Sequence, residues 1–229
     1  MAIESKINDG IGVISLNRPE KANAYDRAHL EQLQASFREL SHHVTTVVLH
    51  SPHPRFFCAG ADLDEMRDAT PEDAKNLFSQ SVFTEIARSA TITIAVVDGP
   101  AIAGGFELAL AADLRVIGPN ASFRLPEVSL GIIPAAGGTT RLSALLGASI
   151  AKQVILGGQP ITAEQAVEWG IGIHSGADPF STAMDWAAAI NKNPDAASAA
   201  KRILNNAAED ASLRDEREAQ SVLYAKRSD

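Results

Sequence analysis

Through its first two thirds the chain alternates short apolar runs with stretches whose apolar residues recur at helical spacing; its last third keeps only the helical spacing. Ile3 to Asn8 and Ile11 to Leu16 read as two strands joined at Asp9-Gly10, a two-residue hairpin signal, and Asn17-Arg18-Pro19 ends the second. Asp26 predicts an N-cap for a helix to about Leu40, with Leu30, Leu33, Phe37 and Leu40 on one face. Val44 to His50 is a β-branched apolar run, so a buried strand is expected. A glycine-bearing loop follows at 57–63 (FCAGADL). Pro71 suits the first turn of a long helix over about Glu72 to Ala90. Ile92 to Val97 predicts a second buried strand, stopped by Asp98-Gly99-Pro100.

Ala103-Gly104-Gly105 then leads into a helix to about Ala112. Leu114 to Ile117 and Ala121 to Leu125 are strand candidates. A helix over Ser143 to Leu156 is expected to break near Gly147 and to stop at Gly157-Gly158. Thr162 with Gln165 makes a capping-box pattern. Three amphipathic segments close the sequence: Asp178 to Asn191, Asp195 to Ala208 and Ser212 to Lys226. Alternating strands and helices followed by helices alone predict an α/β layered domain with a helical C-terminal extension.

Composition narrows the function. The chain has 229 residues, 45% hydrophobic and 21% charged, which are the proportions of one large globular domain. Twenty Lys and Arg against 28 Asp and Glu give a net charge of −8, a poor match to nucleic acid or an anionic membrane surface. No apolar run approaches the roughly 20 residues of a membrane helix. The first residues lack the basic and apolar regions of a secretory signal, and Cys58 is a lone cysteine, so a cytoplasmic protein is expected. The histidines cluster only at His42-His43 and His50 to His53, without metal-ligand spacing, so no metal is expected. There is no G-x-S-x-G nucleophile elbow and no G-x-G-x-x-G dinucleotide turn.

What remains is a turn of small residues that feeds a helix. The backbone N–H groups at such a helix start have no intrahelical partner and favour negative charge. Glu107 lies in the first turn of this helix, among Phe106 and the run Leu108 to Ala112. A carboxylate on so apolar a helix needs a reason to be there. Glu127 follows a strand in the segment Phe123-Arg124-Leu125-Pro126-Glu127-Val128.

Residues 57–63 (FCAGADL), 98–107 (DGPAIAGGFE) and 123–142 (FRLPEVSLGIIPAAGGTTRL), together with Asn17-Arg18-Pro19 and Asn23-Ala24, resemble the enoyl-CoA hydratase/isomerase, or crotonase, family. The resemblance implies a crotonase-like spiral of ββα units over residues 1–175. A helical trimerisation region over 176–229 would also close the pocket. It implies homotrimers or dimers of trimers, and an acyl-CoA thioester as ligand, with coenzyme A belonging to the substrate and no separate cofactor. By position it makes the N–H groups of Ala61 and Gly104 an oxyanion hole for the thioester oxygen. It assigns Lys21, Ala22, Ala24, Ala59, Gly60, Ala61, Asp62, Leu63, Gly105, Pro126 and Pro134 to substrate and CoA binding. Glu107 and Glu127 match the two acids of the family's hydratases, Glu107 as base on water and Glu127 as acid to C2.

Both acids together imply hydration of a 2-enoyl-CoA. Arg124 beside Glu127 keeps a second reading open: if it pins Glu127 as a carboxylate, a Δ3,Δ2-enoyl-CoA isomerase, or a hydrolase or decarboxylase of acyl-CoA, follows. A non-catalytic CoA-binding subunit is the third. Leu77, Phe78, Val82 and Phe83 of the helix expected over 72–90 are read as the wall of the acyl pocket.

Overall fold

The computed structural model describes residues 2–67, 70–176, 178–205, 217, 218 and 221. β1 (Ile3–Asn8) and β2 (Ile11–Leu16) form the antiparallel hairpin, and Asp9 and Gly10 both take the positive φ that its turn requires. α1 (Arg27–Ser41) begins where the Asp26 carboxylate accepts the His29 N–H, and it buries Leu30, Leu33, Phe37 and Leu40. β3 (Thr46–His50) follows, then three short helices: α2 (Leu63–Arg67), α3 (Pro71–Lys75) and α4 (Phe78–Arg88). After β4 (Ile92–Val97) come β5 (Pro100–Ile102), α5 (Gly104–Ala111), β6 (Leu114–Ile117) and β7 (Ser122–Arg124).

A 3-10 turn at Glu127–Leu130 leads to α6 (Gly138–Ile155), which is kinked at Gly147. β8 (Ile161–Thr162), α7 (Ala163–Glu168) with its Thr162–Gln165 capping box, and β9 (Ile173–His174) complete the mixed part. α8 (Pro179–Ile190) and α9 (Pro194–Leu204) close the described chain. The helix expected over Ser212 to Lys226 lies outside the described residues, save 217, 218 and 221.

Six strands form the main sheet in the order β1-β2-β3-β4-β6-β9, parallel from β2 onward. Successive side chains point to opposite faces. Val47, Leu49, Ala95, Val97 and Ile117 therefore join the core with α1, α4 and α5, while Val48, Ile94, Val96 and Val116 meet Ala183 and Ala187 of α8. This is an α/β fold with a helical C-terminal part. β5 leaves the main sheet and pairs with β7 in a second sheet of order β5-β7-β8. That departure carries α5 and the turn after β7 to one place.

The single helix expected over 72–90 is two helices. Asn76 and Leu77 leave helical backbone, at φ −101, ψ 37 and φ −56, ψ 102. Asn76 instead bonds back to the Glu72 carboxylate. The helix expected from Ser143 begins earlier, at Gly138, because the turn at Gly137 takes φ +109 and starts it.

α9 is fastened through one buried cation. Lys201, 7% exposed, donates to the Thr91 carbonyl at 2.8 Å and to Asp113 Oδ2 at 2.7 Å. The same carboxylate oxygen accepts the N–H and hydroxyl of Thr93. Removing one partner of a buried pair leaves the other charge uncompensated. Lys201→Ala is expected to destabilise the fold by ~3 kcal/mol, read as a lowered urea midpoint at unchanged slope; a loss within 0.5 kcal/mol, about what a surface change gives, would contradict this role.

Candidate active site

The loop 57–62 is strapped on both sides by backbone. Phe57 N–H donates to the Pro100 carbonyl at 2.9 Å, and Ile102 N–H donates to the Cys58 carbonyl at 2.9 Å. On the other side Ala59 N–H reaches the Ala22 carbonyl at 3.0 Å, Tyr25 N–H the Gly60 carbonyl at 2.8 Å and Asp62 N–H the Tyr25 carbonyl at 2.7 Å. Ala61 lies between these bonds, and its own N–H finds no acceptor among the described residues. Gly60 sits at φ +91 against the start of α5: a Cβ there would stand 3.0 Å from Gly104 N.

Gly104 is the first residue of α5, so its N–H has no helical partner either. Ala103 before it holds φ 50, ψ −127, a conformation that costs a residue with a Cβ ~1–3 kcal/mol. Its N–H is anchored on the Arg124 carbonyl at 2.9 Å, which ties the helix start to β7. Gly105 faces the loop so closely that a Cβ would stand 2.0 Å from the Cys58 carbonyl oxygen. Cys58 is 1% exposed, donates its S–H to the Asn23 carbonyl at 3.1 Å, and burial pushes the thiol up to about 12.

The two glutamates meet unlike surroundings. Glu107 is 4% exposed, and its Oε1 accepts the N–H groups of Ala136 and Gly138, each at 2.8 Å. Gly138 opens α6, so the positive end of that helix faces the carboxylate. Glu127 is 5% exposed and begins the turn after β7. Its Oε2 has no hydrogen-bond partner among the described residues. Burial raises its carboxyl to about 7.

Arg124 does not pin Glu127. It is exposed, and burial rather than a neighbouring cation governs the acid. Three residues apart suggests contact, but β7 alternates its side chains, with Phe123 buried and Arg124 turned to solvent.

Both acids line one cavity of about 610 Å³. Lys21, Ala24, Ala59, Ala61, Asp62, Leu63, Gly104 and Pro126 line it too. Ala22, Gly60, Gly105 and Pro134 are not on its wall. The first three build or brace the loop 57–62, and Pro134 packs where a Cβ on Gly138 would come within 2.8 Å of it. At the rim, Lys21 Nζ lies 3.0 Å from Asp64 and 3.6 Å from Asp62, and these carboxylates raise its ammonium. Of the four residues read as acyl-pocket wall, only Leu77 lines the cavity. Phe78 lies under the Arg27 guanidinium, 3.6 Å from ring centroid to carbon, and Val82 and Phe83 are fully buried in the core. The break at Asn76–Leu77 turns α4 this way.

The wall holds polar residues that sequence reasoning passed over: Tyr25, Ser79 and Arg67. Tyr25 follows directly on the Asn23-Ala24 pair, the one local signal that pointed to it.

The family model described as enoyl-CoA hydratase/isomerase matches residues 6–229. A 2,3-dehydroadipyl-CoA hydratase of Escherichia coli is 35% identical over 222 residues, covering 93% of this chain and 86% of that protein. An enoyl-CoA hydratase domain-containing protein 2, mitochondrial, of Bos taurus is 40% identical over 173 residues, covering 73% of this chain and 58% of that protein. Among solved structures, an enoyl-CoA hydratase from Bacillus anthracis superposes with a TM-score of 0.86 at 31% identity, covering 99% of this chain and 92% of that one.

The environment of Glu127 has a thermodynamic signature. Its folded value near 7 stands above the unfolded value of 4.5, so the stability it lends as a neutral acid is complete below pH 4.5 and is lost as pH rises through 7. Glu127→Gln stays neutral throughout. The variant is expected to be more stable than the parent at pH 8, by ~1–3 kcal/mol, and to match it near pH 4.5. Urea midpoints at the two pH values measure this; an equal gap at both would contradict it.

Proposed function

Because the chain belongs to the enoyl-CoA hydratase/isomerase family, we propose that it is an enoyl-CoA hydratase, adding water across C2=C3 of a 2-enoyl-CoA thioester. The observation that carries this reading is the contrast between its two acids. Glu107 carries two N–H donors on one oxygen, a setting suited to a carboxylate. Glu127 is buried, its Oε2 has no hydrogen-bond partner among the described residues, and its carboxyl is raised to about 7, a setting suited to a carboxylic acid. Two carboxyls whose surroundings separate them in this way divide into base and acid.

The thioester oxygen enters between the N–H groups of Ala61 and Gly104. Negative charge grows on that oxygen as the enolate forms, and each aimed donor contributes ~3 kcal/mol there. Glu107 takes a proton from water while the water oxygen bonds to C3. The π electrons of C2=C3 move toward C2 and the thioester oxygen. Glu127 gives its proton to C2, and proton exchange with solvent restores both acids. Segments 21–24 and 59–63 receive the adenine and pantetheine of CoA. Lys21 and Arg67 stand at the rim for its phosphates, and binding there would draw them from Asp62 and Asp64.

The isomerase reading needs Glu127 held as a carboxylate, and exposed Arg124 gives it no support. A non-catalytic subunit leaves the two unlike acids without a purpose. We place the protein in the cytoplasm on its single buried thiol, and in trimers on the apolar surface left by Leu156, Ile203 and Leu204, each at least 65% exposed.

Purified protein is expected to deplete the enoyl absorbance of crotonyl-CoA without added metal or redox cofactor. Glu107→Gln is expected to lower kcat by ~10²–10⁴. The rate of the parent is expected to fall as pH rises through about 7, where Glu127 loses its proton. No depletion at millimolar substrate, together with turnover of a 3-enoyl-CoA, would replace hydration by isomerisation. A solution mass equal to one chain would refute the trimer.

A further inference from the structure

The cavity wall carries a hydroxyl pair that the hydration chemistry leaves unused. Tyr25 is held at its backbone against Ala61, and its side chain runs beneath the oxyanion loop toward α5. A Cβ built on Gly104 would lie only 1.9 Å from Tyr25 Oη, so the phenol oxygen sits against the Cα of the second oxyanion donor. Its ring stands edge-on to Phe83, with centroids 5.8 Å apart and planes at 89°, in the core behind the cavity. Ser79, 6% exposed on α4, brings a second hydroxyl to the same wall, near enough to offset part of the rise that burial gives the phenol. Both side chains line the cavity with Glu107 and Glu127. The phenol feels the charge of both acids but hydrogen-bonds neither.

Two hydroxyls carry two protons. Even where they share one between them, the other has no acceptor among the described residues. Burial and the two nearby acids hold the phenol well above its usual value, so it remains a donor at every working pH. The same wall carries the apolar side chains of Leu77, Ile102, Ile132, Ile133 and Ala135. A plain alkyl chain seated there leaves a buried O–H unpaired, which weakens its binding. An oxygen on the acyl chain would accept that proton. A carboxylate oxygen is the wrong acceptor, because the phenol lies within the field of Glu107.

We propose that the Tyr25–Ser79 hydroxyl pair determines acyl specificity, selecting thioesters whose acyl chain bears a neutral oxygen acceptor, a hydroxyl or a carbonyl, beyond C3. The proposal rests on the acyl-CoA reading of the cavity, and its test does not require turnover. Calorimetric titration would compare 4-hydroxybutyryl-CoA with butyryl-CoA on the parent, on Tyr25→Phe and on Ser79→Ala. The parent is expected to bind the hydroxylated thioester about tenfold more tightly. Tyr25→Phe is expected to level the two, and Ser79→Ala to narrow the gap. Equal affinities in the parent, or a preference that survives in Tyr25→Phe, would overturn it. So would an equal loss of kcat on crotonyl-CoA and 4-hydroxycrotonyl-CoA in Tyr25→Phe with the binding ratio unchanged, since the phenol would then act through the glutamates. A binding preference as expected, in a protein that hydrates neither enoyl thioester, would uphold the pair and remove only the hydratase reading.

Discussion

The site depends on one constraint: two backbone N–H groups from distant parts of the chain must be left without partners and face the same space. Unpaired buried amides are costly, so the neighbours of each must be tied down firmly enough to keep it from finding a bond of its own. Around Ala61 the loop 57–62 gives its other polar groups to residues 22–25 on one side and to β5 on the other. Around Gly104 the same service comes from the Ala103 anchor on β7 and from the helix rule that strands the first amide of α5. Gly60 and Gly105 let the two strips of backbone close to contact. The strained backbone of Ala103 persists because its surroundings over-determine it.

The acids inherit their difference from the same layout. β5 leaves the main sheet and pairs with β7, so α5 and the turn after β7 emerge side by side. Glu107 then reaches the start of α6, where a helix end presents its amides. Glu127 opens on the cavity with its Oε2 left without a partner among the described residues. Two residues of one type thus meet opposite surroundings, and burial rather than a neighbouring cation raises the Glu127 carboxyl.

Features governed by neighbours in sequence were legible before the fold was known. The Asp9-Gly10 turn, the Asp26 cap, the Thr162–Gln165 box and the kink at Gly147 all follow from local chemistry, and each is present. The glutamates and the small-residue loops were legible as motifs. The acyl wall was not. Periodicity through 72–90 reads as one helix, and only the break at Asn76–Leu77 reveals that Val82 and Phe83 face the core while Ser79 faces the cavity. Arg124 misled because proximity in sequence ignores the alternation of a strand. Tyr25 had only its place after Asn23-Ala24 to mark it, because its position is set by a bridge to Ala61, far along the chain.

Cys58 gives the loop a further property. A thiol at about 12 and 1% exposed is almost wholly protonated at neutral pH and closed to reagents, so neither alkylation nor peroxide finds a thiolate there. The other sulfur of this site is that of Met66, half-buried on the cavity wall. Conversion to a sulfoxide would set a polar, chiral group on the wall and leave the amides of Ala61 and Gly104 in place. Oxidation there would thus change the polarity of the cavity wall while the backbone of the loop kept its hydrogen bonds.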